Sequence, residues 1–290
     1  MKKREKSAQY MQQYQEIFQC PICMADMKIV DLKSLICTNN HTFDVTKQGY
    51  INLLNSSSKT KYNKKLFESR KSIVDSGLFV PLHERISQLI ANGVGGEERI
   101  NILDAGCGEG SHLAYIKDNI DKKLSTDVLG VGIDIAKEGI VVAARNHMDF
   151  LWTVGDLAKT PFQEKCFDIV LNILSPANYG EFKRLLKDNS MVVKIIPQRE
   201  YLKELREIIL EESREESYNN ESIVKKFKEN FRIMERHPLS YIFPLDKSLI
   251  PELILMTPLS WSIKEESLQE YLKTDLDHIT IDFDILIGKP

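Results

Sequence analysis

From Arg99 onward the chain alternates short, almost continuously apolar runs with stretches whose apolar residues recur at helical spacing. Ile100-Asn101-Ile102-Leu103-Asp104 reads as a short buried strand, followed by a glycine turn and a helix. Residues 128–135 repeat the pattern, with a helix predicted over 137–146. Further strands are predicted at 150–154, 167–174 and 191–196, with a helix between the last two. A helix from Tyr201 to about Glu216 carries Leu202, Leu205, Ile208 and Ile209 on one face. Near the C-terminus Ile279, Ile281, Phe283, Ile285 and Ile287 alternate strictly with polar neighbours, which predicts an antiparallel, edge-type strand. Together these elements predict an α/β fold: a doubly wound, mostly parallel sheet with an antiparallel last strand.

The N-terminal third follows a different pattern. Residues 64–76 and 82–91 read as helices closed by Gly77 and Gly93. Asn55-Ser56-Ser57-Ser58-Lys59-Thr60-Lys61 is a linker by composition, and 18–54 reads as a separate, compact Cys/His module with short β segments. Residues 1–17 are polar, with weak helical spacing, and read as a frayed extension. The expected domains are therefore an extension over 1–17, a metal-binding module over 18–55, linker and helices over 56–95, and the α/β domain over 96–290. No internal repeat is present.

A chain of 290 residues can bury one full α/β core and carry a small accessory module. No apolar run is long enough to span a bilayer, and the basic opening is followed by polar residues rather than a signal-peptide apolar stretch. The expected location is the cytoplasm. Five cysteines, three of them clustered as Cys20, Cys23 and Cys37, then argue for metal binding rather than disulfides. The net charge of -3 conceals an asymmetry: residues 1–71 hold 13 Lys/Arg against 6 Asp/Glu. Such a basic segment suits phosphate contacts to a nucleic acid as well as it suits a solubilising tail.

Cys20-Pro21-Ile22-Cys23 followed by Cys37-Thr38-Asn39-Asn40-His41 gives C-x2-C and C-x3-H. Three thiolates and one imidazole complete a tetrahedral shell with no open position, as at a structural zinc site. A catalytic zinc would need a free position for water or substrate. Zinc would organise a module too small to fold on its own core.

Leu103-Asp104-Ala105-Gly106-Cys107-Gly108-Glu109-Gly110 follows a strand and opens a helix. Its glycines let backbone approach a ligand where a Cβ would clash. A dinucleotide fold uses such a loop for pyrophosphate, so the glycines alone leave the ligand open. Two details favour a cationic ligand with a ribose. Asp104 and Glu109 oppose a pyrophosphate but balance ammonium and sulfonium charges, and Asp134 ends the next strand, where it suits a ribose diol.

The arrangement resembles class I (Rossmann-like) S-adenosylmethionine-dependent methyltransferases, whose first glycine motif is similar to D-x-G-C-G-x-G. The resemblance narrows to the RlmA family of 23S rRNA (guanine-N1)-methyltransferases, which carry a small N-terminal zinc-ribbon-like domain. It is carried by Phe18-Gln19-Cys20-Pro21-Ile22-Cys23 with Cys37 and His41, by the run from His41 to Leu54, by Gly77-Leu78-Phe79-Val80-Pro81-Leu82, and by the glycine loop. Ser175-Pro176-Ala177-Asn178-Tyr179 and Met256-Thr257-Pro258-Leu259-Ser260-Trp261 complete it. The resemblance implies zinc on Cys20, Cys23, Cys37 and His41. It implies cofactor contacts from Phe79, Gly106, Gly108, Glu109 and Tyr201, beside Asp104 and Asp134, with Asp156 where the family often places an acid near adenine. Asp156 suits a loop cap equally. The segment before Phe79 departs from the family's Asp and Met-Ala-Arg pattern, and Phe79 stands where Tyr is common.

The implied reaction is methyl transfer from S-adenosylmethionine to N1 of a guanine in 23S ribosomal RNA, with no membrane partner and at most a second copy of the chain. N1 lies on the Watson–Crick edge, so the base must be unpaired or flipped out. Asn178 is the candidate catalytic residue, as a hydrogen-bonding partner of the guanine edge, or else a helix N-cap. Trp261 suits stacking on the base or core packing, and His112 a base or a helix surface. Lys59, Lys61, Lys64, Lys65, Arg70 and Lys71 are expected to line an RNA cleft. The rivals are a methyltransferase acting on a small molecule or protein, a cofactor-fold binder without chemistry, and a nucleotide-dependent dehydrogenase.

Overall fold

The strands of the main sheet are apolar on both faces because helices cover both. In the computed structural model, which describes residues 1–55, 62–94, 98–124, 126–209, 220–257 and 276–290, five strands run parallel: β5 (Arg99–Ala105), β6 (Asp127–Asp134), β7 (Leu151–Val154), β8 (Phe167–Ile173) and β9 (Leu186–Pro197). Every residue of β8 is buried. β10 (Ile233–Pro244) and β11 (His278–Lys289) complete one edge and β4 (Ile51–Asn52) the other, in the order β10-β11-β9-β8-β5-β6-β7-β4. Along β5 the side chains alternate between two cores, Ile100 and Ile102 into one, Leu103 and Ala105 into the other. The first core takes Leu82, Ile86 and Ile90 of α3 (Val80–Gly93) and Leu113, Ile116 and Ile120 of α4 (Ser111–Lys123). The second takes Phe182 and Leu185 of α6 (Tyr179–Leu185) and Phe227 of α8 (Glu221–Asn230). α2 (Lys64–Asp75), α5 (Lys137–Asn146), α7 (Lys203–Ile209) and α9 (Ile250–Met256) complete the α/β domain.

The fold class matches the expectation, while three details differ. β11 is antiparallel but not an edge: it lies between β9 and β10, and Asp284 on its apparently polar face is buried in an ion pair with Arg236 of β10. Residues 1–17 are not frayed. α1 (Lys3–Gln13) and the 3-10 turn Gln15–Ile17 bury Ala8, Met11, Tyr14 and Ile17 at near-helical intervals, and the Lys3 ammonium donates to the Arg145 carbonyl at 3.0 Å. Finally, the small N-terminal domain, though it has a sheet of its own, is tied to the α/β domain. Its own sheet, β1 (Met27–Val30), β2 (Ser34–Cys37) and β3 (Thr42–Asp44), leads into β4, which pairs in parallel with β7. Gln19 N donates to Pro161 O at 3.0 Å and Gln163 N to Ile17 O at 2.8 Å, so backbone ties join module and domain. The helix expected over 201–216 is described only as α7, and the linker residues 56–61 lie outside the described residues.

Candidate functional site

At the carboxyl end of β5 the chain turns on three left-handed glycines, Gly106, Gly108 and Gly110, with φ of +86°, +55° and +83°. The turn is moored to β6, because Gly106 N and Cys107 N both donate to Ile133 O, at 2.9 and 3.1 Å. The glycines differ in what surrounds them. A Cβ on Gly110 would stand 2.4 Å from Trp152, and one on Gly106 2.7 Å from Ser175, so both serve packing. A Cβ on Gly108 would meet only the Phe67 ring, at 3.5 and 3.8 Å, and Arg70 Nη1 at 3.9 Å. Gly108 is thus the one of the three glycines where a Cβ meets no close steric neighbour.

Carboxylates surround the loop. Asp134, at the end of β6, accepts from Gly108 N at 2.8 Å and from Ala136 N at 2.7 Å, so it fixes the loop with both oxygens. Asp104 is 1% exposed, and its Oδ1 has no hydrogen-bond partner among the described residues. Burial, reinforced by Asp134 and Glu109, pushes its carboxyl up to about 8. Glu109 accepts from Ser111 Oγ at 2.6 Å, and burial pushes it up to about 7. Burial also raises Asp134. An orphaned buried carboxyl oxygen, neighbouring acids and an uncrowded glycine fit a ligand that brings positive charge.

That arrangement fixes a pH dependence. Asp104 and Glu109 are largely protonated below pH 7 and ionise as the pH rises through 7 to 8. Because their folded values lie above ordinary carboxylate values, they cost the ligand-free fold stability as the pH rises. A cationic ligand favours the ionised forms. Its affinity is therefore expected to climb between pH 6 and 8.5, by up to about tenfold per pH unit per coupled proton, with protons released on binding. Calorimetry in buffers of different ionisation enthalpy checks this, and a flat affinity with no proton release would remove both carboxyls from the ligand site.

Aromatic rings pack together near the loop. Phe79 is 3% exposed and packs edge-on to His112 at 5.0 Å and against Phe283 at 6.3 Å, while Tyr201 lies 4.8 Å from Phe283. The structure thus brings Phe79 and Tyr201 together against Phe283. His112 and His83 share a 2.8 Å hydrogen bond, and burial together with the Arg70 charge holds His112 down at about 4. Asp156 is exposed and accepts from Ala158 N at 2.8 Å, a loop-capping turn. Asn178 caps α6, its Oδ1 accepting from Glu181 N at 3.3 Å, while its Nδ2 donates to Leu157 O at 3.2 Å. Both ends of that amide are engaged within the protein. Trp261, Lys59 and Lys61 lie outside the described residues.

Two features escaped the sequence reading. Arg70 does not face outward with the other basic residues: it turns inward to Gly108, with Nε donating to Met256 O at 3.2 Å. Lys64 and Lys71 are paired with Glu68 and Asp75, at 3.0 and 2.5 Å. The second feature is a buried knot beneath Ser175–Asn178. Lys194 Nζ donates to Asn172 Oδ1 at 2.5 Å and to Ser175 O at 3.2 Å, and Asn172 Nδ2 donates to Ala105 O at 3.0 Å. A lysine inside the apolar run of β9 was the only sequence signal for it.

In the N-terminal module one ligand atom each from Cys20, Cys23, Cys37 and His41 lie within 4.8 Å of one another. Cys23 Sγ and Cys37 Sγ are 3.7 Å apart, and His41 Nδ1 lies 3.6 Å from Cys20 Sγ and 3.4 Å from Cys37 Sγ. A tetrahedron with metal–ligand bonds of about 2.0–2.3 Å has edges of roughly 3.3–3.8 Å, so the four fit one zinc ion. Ile22 and Met24 stand exposed beside this cluster.

A family profile for the N-terminal region of RlmA matches residues 18–61, and a methyltransferase-domain profile matches 102–194. The putative 23S rRNA (guanine-N1)-methyltransferase YxjB of Bacillus subtilis is 41% identical over 94% of this chain and 96% of its own length. The 23S rRNA (guanine(748)-N1)-methyltransferase of Streptomyces fradiae is 29% identical over 83% of this chain and 85% of its own. Among solved structures, a putative methyltransferase from an antibiotic biosynthesis pathway of Anabaena variabilis superposes with a TM-score of 0.48, at 15% identity over 71% of this chain and 97% of that one.

Proposed function

The chain belongs to the RlmA-type family of 23S rRNA (guanine-N1)-methyltransferases, and from that premise we propose that it transfers a methyl group from S-adenosylmethionine to N1 of a guanine in 23S ribosomal RNA. The observation that carries the reading is the unpartnered, buried Asp104 carboxyl among neighbouring acids at the glycine loop, in a chain matched to its Bacillus relative over nearly its whole length. When bound, the cofactor supplies a methyl group already activated on a sulfonium.

The protein's own work is then positioning. Asp104 and Glu109 balance the ammonium and sulfonium charges, and Asp134 holds the loop that carries Gly106 and Gly108. Phe79 and Tyr201, packed on Phe283, supply the apolar side, and Asp156, at the loop after β7, is assigned to the adenine end from the family resemblance alone. Asn178 shapes the acceptor side by fixing the segment after β8 to the loop after β7, with Lys194 and Asn172 holding that segment from below. An acceptor base delivered in line with the methyl gains most of its rate from such placement. The zinc module, with Ile22 and Met24 exposed in a basic N-terminal region, presents an RNA-facing surface, and the cytoplasm is where such a substrate is met. No helix among the described residues is long and apolar enough to cross a membrane.

The test is incubation of the protein with methyl-labelled cofactor and ribosomal RNA from a host lacking the gene. The expected product is N1-methylguanine at one position of 23S RNA, seen as a block to reverse transcription. Label appearing on protein or free metabolites instead, with none on RNA, would overturn the proposal.

A further inference from the structure

Arg70 is a half-buried cation beside Gly108 of the cofactor loop. α2, which carries it, packs against α5 and α9 and so lies across the carboxyl end of the sheet. The guanidinium carbon sits 5.6 Å from the centroids of both the Tyr62 and Phe67 rings, and Nε is spent on Met256 O. Nη1 would stand 3.9 Å from a Cβ built on Gly108, and among the described residues neither Nη group has a hydrogen-bond acceptor. Asp134, Glu109, Tyr201 and Tyr62 supply the negative field around it, though burial outweighs them and lowers its proton affinity. The second nearby cation, Lys71, is held by Asp75 at 2.5 Å.

The cofactor poses a charge problem that this residue answers. Its methionine end carries an ammonium and a sulfonium, which the pocket's acids suit, and also a carboxylate, which they repel. A carboxylate placed among Asp104, Glu109 and Asp134 needs a cation with free donors within reach of the loop. A guanidinium with one edge tied down and its Nη edge free offers parallel donors to two carboxylate oxygens.

We propose that Arg70 binds the carboxylate of the cofactor's methionine moiety, its free Nη edge facing the loop at Gly108. This assignment rests on the cofactor reading given above. It makes Arg70 a cofactor-positioning residue rather than part of an RNA cleft, since its guanidinium lies beside the glycine loop and its Nε is held by Met256 O.

The test compares S-adenosylmethionine with its decarboxylated analogue, which keeps both positive charges and lacks only the carboxylate. Binding of each is measured by calorimetry to the wild type, Arg70→Met and Arg70→Lys, with thermal melting of each variant alongside. The wild type is expected to prefer the carboxylated ligand by about thirtyfold or more, the worth of a charge-assisted paired contact. Arg70→Met is expected to erase that preference by losing affinity for S-adenosylmethionine alone, and Arg70→Lys, which keeps the charge and the packing, to retain part of it. Equal affinity of the wild type for the two ligands would overturn the assignment while leaving the cofactor reading intact. So would a variant that weakens both equally, the mark of a residue that only holds α2 against α9. Binding of neither ligand to the wild type would overturn both.

Discussion

Gly108→Asn is expected to leave the protein folded while lowering its affinity for S-adenosylmethionine by more than about a hundredfold, whereas Gly110→Ala is expected to damage the fold itself. The two glycines lie two residues apart in one loop and share a left-handed backbone, so strain alone does not separate them. Asparagine tolerates that backbone best among residues with a side chain. At Gly108 its Cβ would make ordinary contact with the Phe67 ring, at 3.5 Å, and would stand 3.9 Å from Arg70 Nη1, so the amide adds bulk and polarity where loop and α2 meet. At Gly110 a Cβ would lie 2.4 Å from Trp152 and 3.0 Å from Ala143, inside a packed core with a rigid indole that cannot withdraw. The overpacking and the left-handed alanine together cost about 3 kcal/mol, or roughly 6–12 °C in Tm. Melting and cofactor calorimetry on both variants decide the matter. Wild-type affinity in a Gly108→Asn protein that melts normally would show that the Gly108 side of the loop is not the ligand's side.

The same contrast explains what was legible beforehand. The parallel strands were visible because burial on both faces writes them as continuous apolar runs, as in β8. β10 was not, because an edge strand with Pro238 in its middle fully buries none of its residues, half-burying Met234, His237, Leu239, Tyr241 and Phe243 and leaving the others to solvent. With β10 unseen, β11 looked like the edge, and its Asp284 looked solvated rather than paired with Arg236. β4 is two residues long, and its place beside β7 is a tertiary fact that no local pattern encodes. α1 carried a helical apolar spacing too sparse to stand out in a polar segment, and its burial depends on contacts such as Tyr14 Oη to Asp127 Oδ2 at 3.4 Å.

In the site, the groups written close together in sequence were legible: the glycines, Asp104, Glu109, Asp134, and the two ligand pairs of the metal cluster. The groups delivered by packing were not. Arg70 reads as one more basic residue in a basic stretch until α2 is laid over the loop. Asn178 reads equally as catalyst or cap, and only the positions of Leu157 O and Glu181 N show how its amide is engaged. Local chemistry announces itself in a sequence, whereas chemistry assembled across elements depends on the topology that brings them together.

Removing the zinc, by chelation or by Cys37→Ser, is expected to abolish methylation of ribosomal RNA while leaving cofactor affinity within a few-fold of its starting value. The ligand pairs flank the β1–β2 hairpin in sequence and meet at the end where Met27 pairs with Cys37, while the sheet itself buries few side chains, chiefly Met27, Ile29 and Leu35, and β3 is largely exposed. Apparent binding energies of about 10–16 kcal/mol for structural zinc in small modules exceed what so short a segment draws from its own core. Loss of the ion should therefore unfold the β1–β3 region. The damage should then spread only partway. Ile51 and Leu53 share a core with β6 and β7, and Tyr50 belongs to the core of α3 and α4, so the first melting transition should fall. The glycine loop, by contrast, is fixed by Ile133, Asp134 and Trp152, none of which touches the metal cluster. Metal content, RNA methylation and cofactor calorimetry on the same preparation separate these effects. A zinc-free Cys37→Ser protein that methylates ribosomal RNA at the wild-type rate would show that the module's fold is not needed to engage the RNA. Loss of cofactor affinity in step with the metal would show instead that module and loop form one cooperative unit, joined through β4 and β7.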